Sequence, residues 1–238
     1  FADAARHNFR ERGAYNITVR SMELRKGNLA DVLDGFRPDV IYLDPARRAA
    51  DGRKVFRLED CEPNVLELMP ELLEACPRIL LKLSPMADIT MLCRELSHVK
   101  EVHVVAMDGE CKELLLLIER GFEGEHSTYI VEDEAVMKIP DDLGSDPLPA
   151  TGHEVLFEPG KALLKAGAFD LPCRFGLSKL GRSTHLYVGE TVPPELRPFG
   201  KARRIIEVLP LDKRSFRELS SRYPRADVSV HNIPLTSE

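Results

Sequence analysis

The sequence predicts an α/β fold, a mostly parallel sheet layered with helices and followed by smaller α+β modules. Two observations carry this reading. The run Val40-Ile41-Tyr42-Leu43-Asp44-Pro45-Ala46-Arg47-Arg48 is apolar and β-like, then ends in Asp-Pro and turns basic. A buried parallel strand delivers a carboxylate to the rim of an α/β sheet in this way, and ligands of open α/β sheets bind at that rim. Around this run, helical and strand-like segments alternate until two apolar runs, Val99 to Met107 and Glu113 to Glu119, follow each other directly. Asp108 to Lys112 is too short for a crossover helix, so these two strands are predicted to pair antiparallel at one edge of the sheet.

Each element follows from its own pattern. Ala2 to Arg12 reads as a helix stopped by Gly13. Asn16 to Arg20 is β-branched and reads as a short strand. Asn28 can cap a helix through Leu29, Val32 and Leu33, ended by Gly35. Pro38 to Leu43 is apolar on both faces, which suits a strand covered by helices on each side. Ala46 to Asp60 is a polar, basic rim loop. Asn64 to Ala75 carries a broad apolar stripe with Pro63 near its start. Arg78 to Leu83 is another buried strand, closed by Ser84-Pro85, and Asp88 to Leu96 is a helix.

The stretch from Pro140 to Pro149 is acidic and rich in breakers, which marks a linker. Beyond it the elements shorten. Glu154 to Phe157 is strand-like and Lys161 to Gly167 helical. His185 to Val188 and Arg203 to Leu209 are strand-like, Lys213 to Arg222 is helical, and Asp227 to His231 is strand-like.

Over 238 residues, 43% hydrophobic and 30% charged, the composition is that of an ordinary globular protein. No apolar run approaches the roughly 18 residues of a membrane span. Phe1 to Arg6 shows no signal-peptide pattern and reads as a helix entered partway along, so the expectation is a piece of a longer chain. The five cysteines, Cys61, Cys76, Cys93, Cys111 and Cys173, are scattered and form no C-x-x-C pair. That pattern gives no support for a metal site and suggests small buried residues in a reducing, cytoplasmic setting. The net charge of −6 argues against indiscriminate nucleic-acid binding. From residue 150 onward, however, 14 Lys/Arg stand against 10 Asp/Glu, which makes the C-terminal part the better candidate for touching phosphate.

Several stretches, taken in order, resemble a known family. Ala4 to Phe9 followed by Asn16 to Val19 is similar to the helix and strand after the acidic cofactor strand of class I S-adenosylmethionine-dependent methyltransferases. Asp44-Pro45 sits where that superfamily carries its Asp/Asn-Pro-Pro-aromatic motif. Leu81 to Met86, Gly109 to Glu113, Phe157-Glu158-Pro159, Lys165 to Ala168, Ser183 to Tyr187 and Val230 to Leu235 resemble a narrower bacterial group, the THUMP-like-domain methyltransferases. The resemblance implies a Rossmann-like class I methyltransferase sheet over residues 1–140, incomplete here, and a linker over 141–150. It also implies a ferredoxin-like segment over 151–195 and an incomplete THUMP-like domain over 196–238.

The resemblance also implies roles. Asp44 and the Pro45 turn would accept hydrogen bonds from the methyl acceptor and aim its lone pair at a sulfonium methyl, a reaction dominated by positioning. Ala46 and Arg47 replace the motif's second proline and its aromatic residue, so Arg47, Arg48 and Arg53 would either grip phosphate or a carboxylate, or form a solvated rim. Lys82, Ser84 and Pro85 end the next strand near the same rim, and Lys82 would reach Asp44 or a substrate anion. Ser21, Met22 and Glu23 are the local candidates for contact with S-adenosylmethionine. Its Gly-rich loop is expected upstream of Phe1, since Gly27, Gly35 and Gly52 form no G-x-G cluster. Arg203, Arg204, Lys213, Arg214 and Arg217 would contact RNA, with Tyr187 or Phe199 as a stacking face. Glu110, Glu113 and Cys111 read as an ordinary hairpin turn.

The expectation is therefore an RNA methyltransferase. A noncatalytic RNA-binding or assembly module on the same scaffold and a small-molecule methyltransferase stand as alternatives.

Overall fold

The computed structural model of the chain describes residues 1–47, 57–143 and 154–231. Arg48, Arg53 and most of the expected linker lie outside the described residues. The chain divides into two units, residues 1–99 with 116–124, and residues 100–115 with 125–238. Among the described residues no helix is long and apolar enough to cross a membrane.

The first unit contains α1 (Ala2–Glu11), α2 (Leu29–Leu33), β1 (Ile41–Leu43), β2 (Ala46–Arg47), β3 (Cys61–Glu62), α3 (Val65–Ala75), β4 (Arg78–Leu83) and α4 (Ile89–Glu95). It also holds the start of β5 (Val99–Met107) and the end of β6 (Glu110–Glu119). The strand order in this unit is β1-β4-β6. β1 and β4 run parallel, with Ile41, Tyr42 and Leu43 opposite Ile79, Leu80 and Leu81. In β4, Ile79, Leu81 and Leu83 are buried while the residues between them are more open. Helix α3 packs on this strand and buries Val65, Leu68, Met69 and Leu72. Each such side chain contributes roughly 1.5–3 kcal/mol through the water it sheds.

Two predicted strands of the first unit are corrected. Asn16 to Arg20 is not a strand, and Ile17 is exposed. Side chains hold this segment instead of a ladder. The Arg6 guanidinium donates to the Val19 carbonyl, and Arg20 donates to the Val32 carbonyl and the Asp34 carboxylate. β-Branched residues favour a strand only where a partner supplies packing and hydrogen bonds. The expected Pro38–Leu43 strand shrinks to three residues and is buried on one face only. Leu43 is buried, whereas Tyr42 is 56% exposed. β1 stands at the end of the strand order among the described residues, not at its centre.

The second unit contains the rest of β5 and β6, then β7 (Ser127–Glu132), β8 (Ala135–Lys138), β9 (Val155–Pro159), α5 (Lys161–Lys165), α6 (Leu171–Arg174), β10 (Ser178–Lys179), β11 (Tyr187–Gly189), β12 (Gly200–Arg204) and α7 (Lys213–Arg222). One sheet runs β6-β5-β7-β8 in this unit, and a second, four-stranded and antiparallel, runs β10-β11-β9-β12. The β5–β6 turn has two residues, Asp108 at φ 55° and Gly109 at φ 74°. Two positive φ angles make the primed turn whose twist matches an antiparallel pair. The predicted turn of Asp108 to Lys112 is therefore shorter than expected. The hairpin is also not at an edge. Ser127 to Glu132 adds a strand parallel to β5, and Ala135 to Lys138 returns antiparallel beside it.

Two C-terminal expectations change as well. The strand predicted over Arg203 to Leu209 ends at Arg204, because its partner β9 begins at Val155. One further bond, from the Ile205 amide to the Glu154 carbonyl, closes the ladder. Asp227 to His231 is not a strand, and Val228 is exposed. Helix α7 forms as predicted, capped by the Asp212 carboxylate, which accepts the Ser215 amide at 2.8 Å.

A buried carboxylate joins the end of β7 to the start of α5. Glu132, 8% exposed, accepts the Ala162 amide at 3.1 Å and is also bonded by the Lys161 amide. A Cβ at Gly160 would lie 2.5 Å from this carboxylate, so the position requires glycine for space. Burial pushes the Glu132 carboxyl above its ordinary value, and the two amides pull it partly back. A raised value means that stability is greatest with the group protonated and falls as pH rises through that value. Glu132→Ala is predicted to destabilise the chain by about 1 kcal/mol, as loss of a helix cap does. Glu132→Gln keeps an acceptor without the charge. In urea titrations, its stability relative to wild type should rise from acid to neutral pH, and a constant difference would contradict the assignment.

Candidate functional site

The parallel register of the first unit builds the site. Leu43 and Leu81 are opposed and buried, so the next pair outward is Asp44 and Lys82, on the other face of the strands. The Lys82 Nζ donates to Asp44 Oδ2 at 2.8 Å. The carboxylate is the more open partner, with 48% of its side chain exposed against 31% for the lysine. An ion pair this exposed stabilises a fold by only about 0.2–1 kcal/mol. Its consequence is local: it fixes a carboxylate at the carboxyl ends of two adjacent parallel strands.

The turns around the pair are set by short hydrogen bonds. After β4, the Ser84 carbonyl accepts the Ala87 amide at 3.1 Å and Ser84 Oγ accepts the Met86 amide at 3.2 Å. This turn places Pro85 at the end of β4 and leaves Met86 exposed. After Pro45, the chain enters β2, where Ala46 and Arg47 pair with Glu62 and Cys61 of β3.

β3 leads through Pro63 into α3, whose first turn is closed by Asn64. The Asn64 Oδ1 accepts the Leu66 and Glu67 amides at 3.1 and 3.3 Å. A cleft of about 460 Å³ opens here, lined by Glu23, Arg25, Glu62, Asn64, Glu67 and Leu68 among others. The Gly27 amide donates to Glu71 Oε1 at 2.7 Å, which ties the Glu23–Asn28 segment to α3. The cleft falls in the usual size range of small-molecule sites, about 300–1,000 Å³. Its carboxylates can accept hydrogen bonds from hydroxyl groups and its Leu24 and Leu68 offer apolar surface, a lining that fits a nucleoside.

The candidate cofactor residues divide. Glu23 lines the cleft, with its carboxylate 2.6 Å from Arg25, whereas Ser21 and Met22 are exposed and do not line it. Glu62, Asn64 and Glu67 were missed. The available signal was the spacing of Asn64 and Glu67 at the start of an apolar helical stripe, a capping pattern, which marks the helix start but not the cleft. Glu110 is paired with Lys112 at 2.8 Å, which holds its carboxyl below the ordinary value. The Cys111 thiol is pushed up by burial, which disfavours a thiolate nucleophile.

In the second unit the predicted stacking faces are corrected. Tyr187 and Phe199 are buried, at 0% and 2% exposure. The Tyr187 hydroxyl donates to the Phe169 carbonyl, and burial raises its phenol well above the usual range. Both rings serve as core, and Tyr187 lies tilted against the buried Phe157 ring with centroids 6.4 Å apart. Arg203 is paired with Glu158 at 2.6 Å, which spends part of its charge. Arg204 is exposed on β12, and Lys213, Arg214 and Arg217 are exposed on α7. Arg203 and Arg204 border an apolar groove of about 630 Å³ that includes Ile206, Val208 and Tyr223.

Comparison with known proteins points in one direction. Residues 156–196 match the family model of a ferredoxin-like domain. The chain is 28% identical over 198 residues to proteins from two strains of Mycobacterium tuberculosis, CDC 1551 and H37Rv, each named an uncharacterized S-adenosylmethionine-dependent methyltransferase. Each alignment covers 81% of this chain and 52% of the relative. A crystal structure of a candidate methyltransferase from Porphyromonas gingivalis W83 superposes with a TM-score of 0.75 at 34% identity, over 88% of this chain and 54% of that one. The chain thus spans about half the length of the relatives it matches.

Removing the α3 cap tests the local design of the cleft. Asn64→Ala is predicted to cost about 1 kcal/mol in urea unfolding. It should also speed hydrogen exchange at the Leu66 and Glu67 amides before it affects β4. Unchanged exchange at those two amides would contradict the assigned cap.

Proposed function

We propose that this chain carries the methyl-acceptor side of an S-adenosylmethionine-dependent methyltransferase of the THUMP-like group, acting on RNA. The observation that supports this most is the Asp44–Lys82 pair at the carboxyl ends of β1 and β4, in a chain whose relatives are named S-adenosylmethionine-dependent methyltransferases. The bound donor supplies an electrophilic methyl group on a positively charged sulfur.

The chain's own residues position and exclude. The Asp44 carboxylate accepts an N–H of the acceptor, which turns the nitrogen lone pair away from the carboxylate and toward the methyl group. Pro45 restricts the backbone of the turn that follows the carboxylate. The main contribution is alignment of the reacting atoms, for which small misplacements are costly. Glu23, Glu62 and Glu67 are the residues of the neighbouring cleft that would meet donor hydroxyl groups. Ser84-Pro85 and the backbone of Arg47 border the acceptor side.

RNA as the substrate rests on the excess of basic residues after position 150 and on the exposed Arg204, Lys213, Arg214 and Arg217. Phosphate contacts of this kind release counterions and weaken as salt rises. In this reading residues 196–238 belong to a THUMP-like module.

The test is transfer of a radiolabelled methyl group to total cellular RNA by the full-length protein. Asp44→Ala is predicted to lower the transfer rate by on the order of a hundredfold with little change in donor affinity, the pattern of lost positioning. Binding of labelled RNA should weaken steeply between low and physiological salt. Equal transfer by Asp44→Ala would remove Asp44 from the mechanism, and transfer to small molecules alone would remove RNA.

A further inference from the structure

We propose that Lys82 is a positioning residue that acts through Asp44, not a group that grips the substrate. The proposal rests on the reading of Asp44 as the acceptor-binding carboxylate. It is argued from three features of the pair.

First, the register fixes the partners. Leu43 and Leu81 are opposed, so Asp44 and Lys82 are neighbours on adjacent strands and need no loop movement to meet. Second, the ammonium is already engaged. Its Nζ is 2.8 Å from Asp44 Oδ2, within the range of a charge-assisted hydrogen bond. Third, accessibility is unequal. Asp44 is 48% exposed and Lys82 31%, so an incoming molecule meets the carboxylate first. The lysine stem sits in the run Ile79-Leu80-Leu81-Lys82-Leu83, where every second side chain is buried.

With Oδ2 held by Lys82, Asp44 offers Oδ1 to an acceptor N–H. A carboxylate free to rotate would present two equivalent oxygens over a range of angles. Anchoring one oxygen selects one lone-pair direction for the other, so the acceptor nitrogen is held in a single orientation toward the donor. In the transfer itself, the N–CH₃ bond forms as the S–CH₃ bond breaks. The electron pair of the broken bond stays on sulfur, and the acceptor nitrogen releases its proton to water.

This role differs from substrate binding in what a substitution changes. If Lys82 works through Asp44, Lys82→Met lowers the single-turnover transfer rate about tenfold or more while KM for the acceptor stays within about twofold. Lys82→Arg, which can still donate to Oδ2, recovers part of the loss. In the Asp44→Ala background the Lys82→Met substitution has no further effect, because the two residues act as a unit. If Lys82 grips an anion of the substrate, KM rises instead, and the two substitutions multiply.

The experiment is a double-mutant cycle in the full-length protein, with single-turnover transfer to total cellular RNA and the apparent KM for that RNA measured for wild type, Lys82→Met, Asp44→Ala and the double variant, and with Lys82→Arg as the rescue. A second arm needs no activity. With ¹³C-labelled aspartate, the Asp44 carboxyl resonance should move in Lys82→Met and return toward its wild-type position in Lys82→Arg. A resonance that does not move, or multiplicative rate effects, would overturn the proposal. A resonance that moves while Asp44→Ala leaves transfer intact would keep the pairing and overturn the catalytic reading on which the proposal depends.

Discussion

A single parallel register governs the candidate site. Because Leu43 faces Leu81 in the buried layer, Asp44 and Lys82 are carried to the opposite face and meet at 2.8 Å. A slip of one residue would send the carboxylate into the apolar layer and bring a leucine to the rim, since strand side chains alternate. The register is held by burial, not by the ion pair. Ile79, Leu81, Leu83, Leu68 and Leu72 are almost fully buried, and their combined desolvation far exceeds what an exposed pair contributes. The apolar layer thus does the folding, and the polar residues one step beyond it are free to serve chemistry.

The same division appears in the second unit. Phe157, Tyr187 and Phe199 are buried beside the four-stranded sheet, and Arg204, Lys213, Arg214 and Arg217 are exposed on β12 and α7. Glu132 is the exception. It is a carboxylate placed at the end of β7, buried, and matched to the free amides at the start of α5. Helix ends leave such amides unpaired, and a carboxylate is the natural group to satisfy them. Gly160 supplies the space, so the join depends on two residues separated by 27 intervening positions in the chain.

What could be read in the sequence was whatever depends on local pattern. The stripe from Val65 to Leu72, the β4 run and the helix from Lys213 to Arg222 carry their structure in local spacing. A lysine interrupting an apolar strand must find a partner or reach water, which left Asp44 or a substrate anion as targets for Lys82; the structure pairs it with Asp44. What stayed hidden depends on partners distant in sequence. Asn16 to Arg20 has strand-forming residues, yet the Arg6 side chain bonds its Val19 carbonyl and the Arg20 side chain ties it to Val32 and Asp34. Tyr187 and Phe199 have the chemistry of a stacking face and the surroundings of a core. Glu23 and Glu67 line one cleft, and no local pattern announces that residues so far apart in the chain share it. The strand from Ser127 to Glu132 was not read from the sequence, and its place beside β5 follows only from the sheet.

In the proposed mechanism the carboxylate anchored by Lys82 faces the place where the methyl group is transferred. A crystal structure of the full-length protein with sinefungin, whose amine occupies the position of the donor methyl group, tests this most directly. The account predicts that the amine points to the space beside Asp44 Oδ1 while Lys82 remains on Oδ2. An amine directed at a different carboxylate, with Asp44 turned toward solvent, would contradict it.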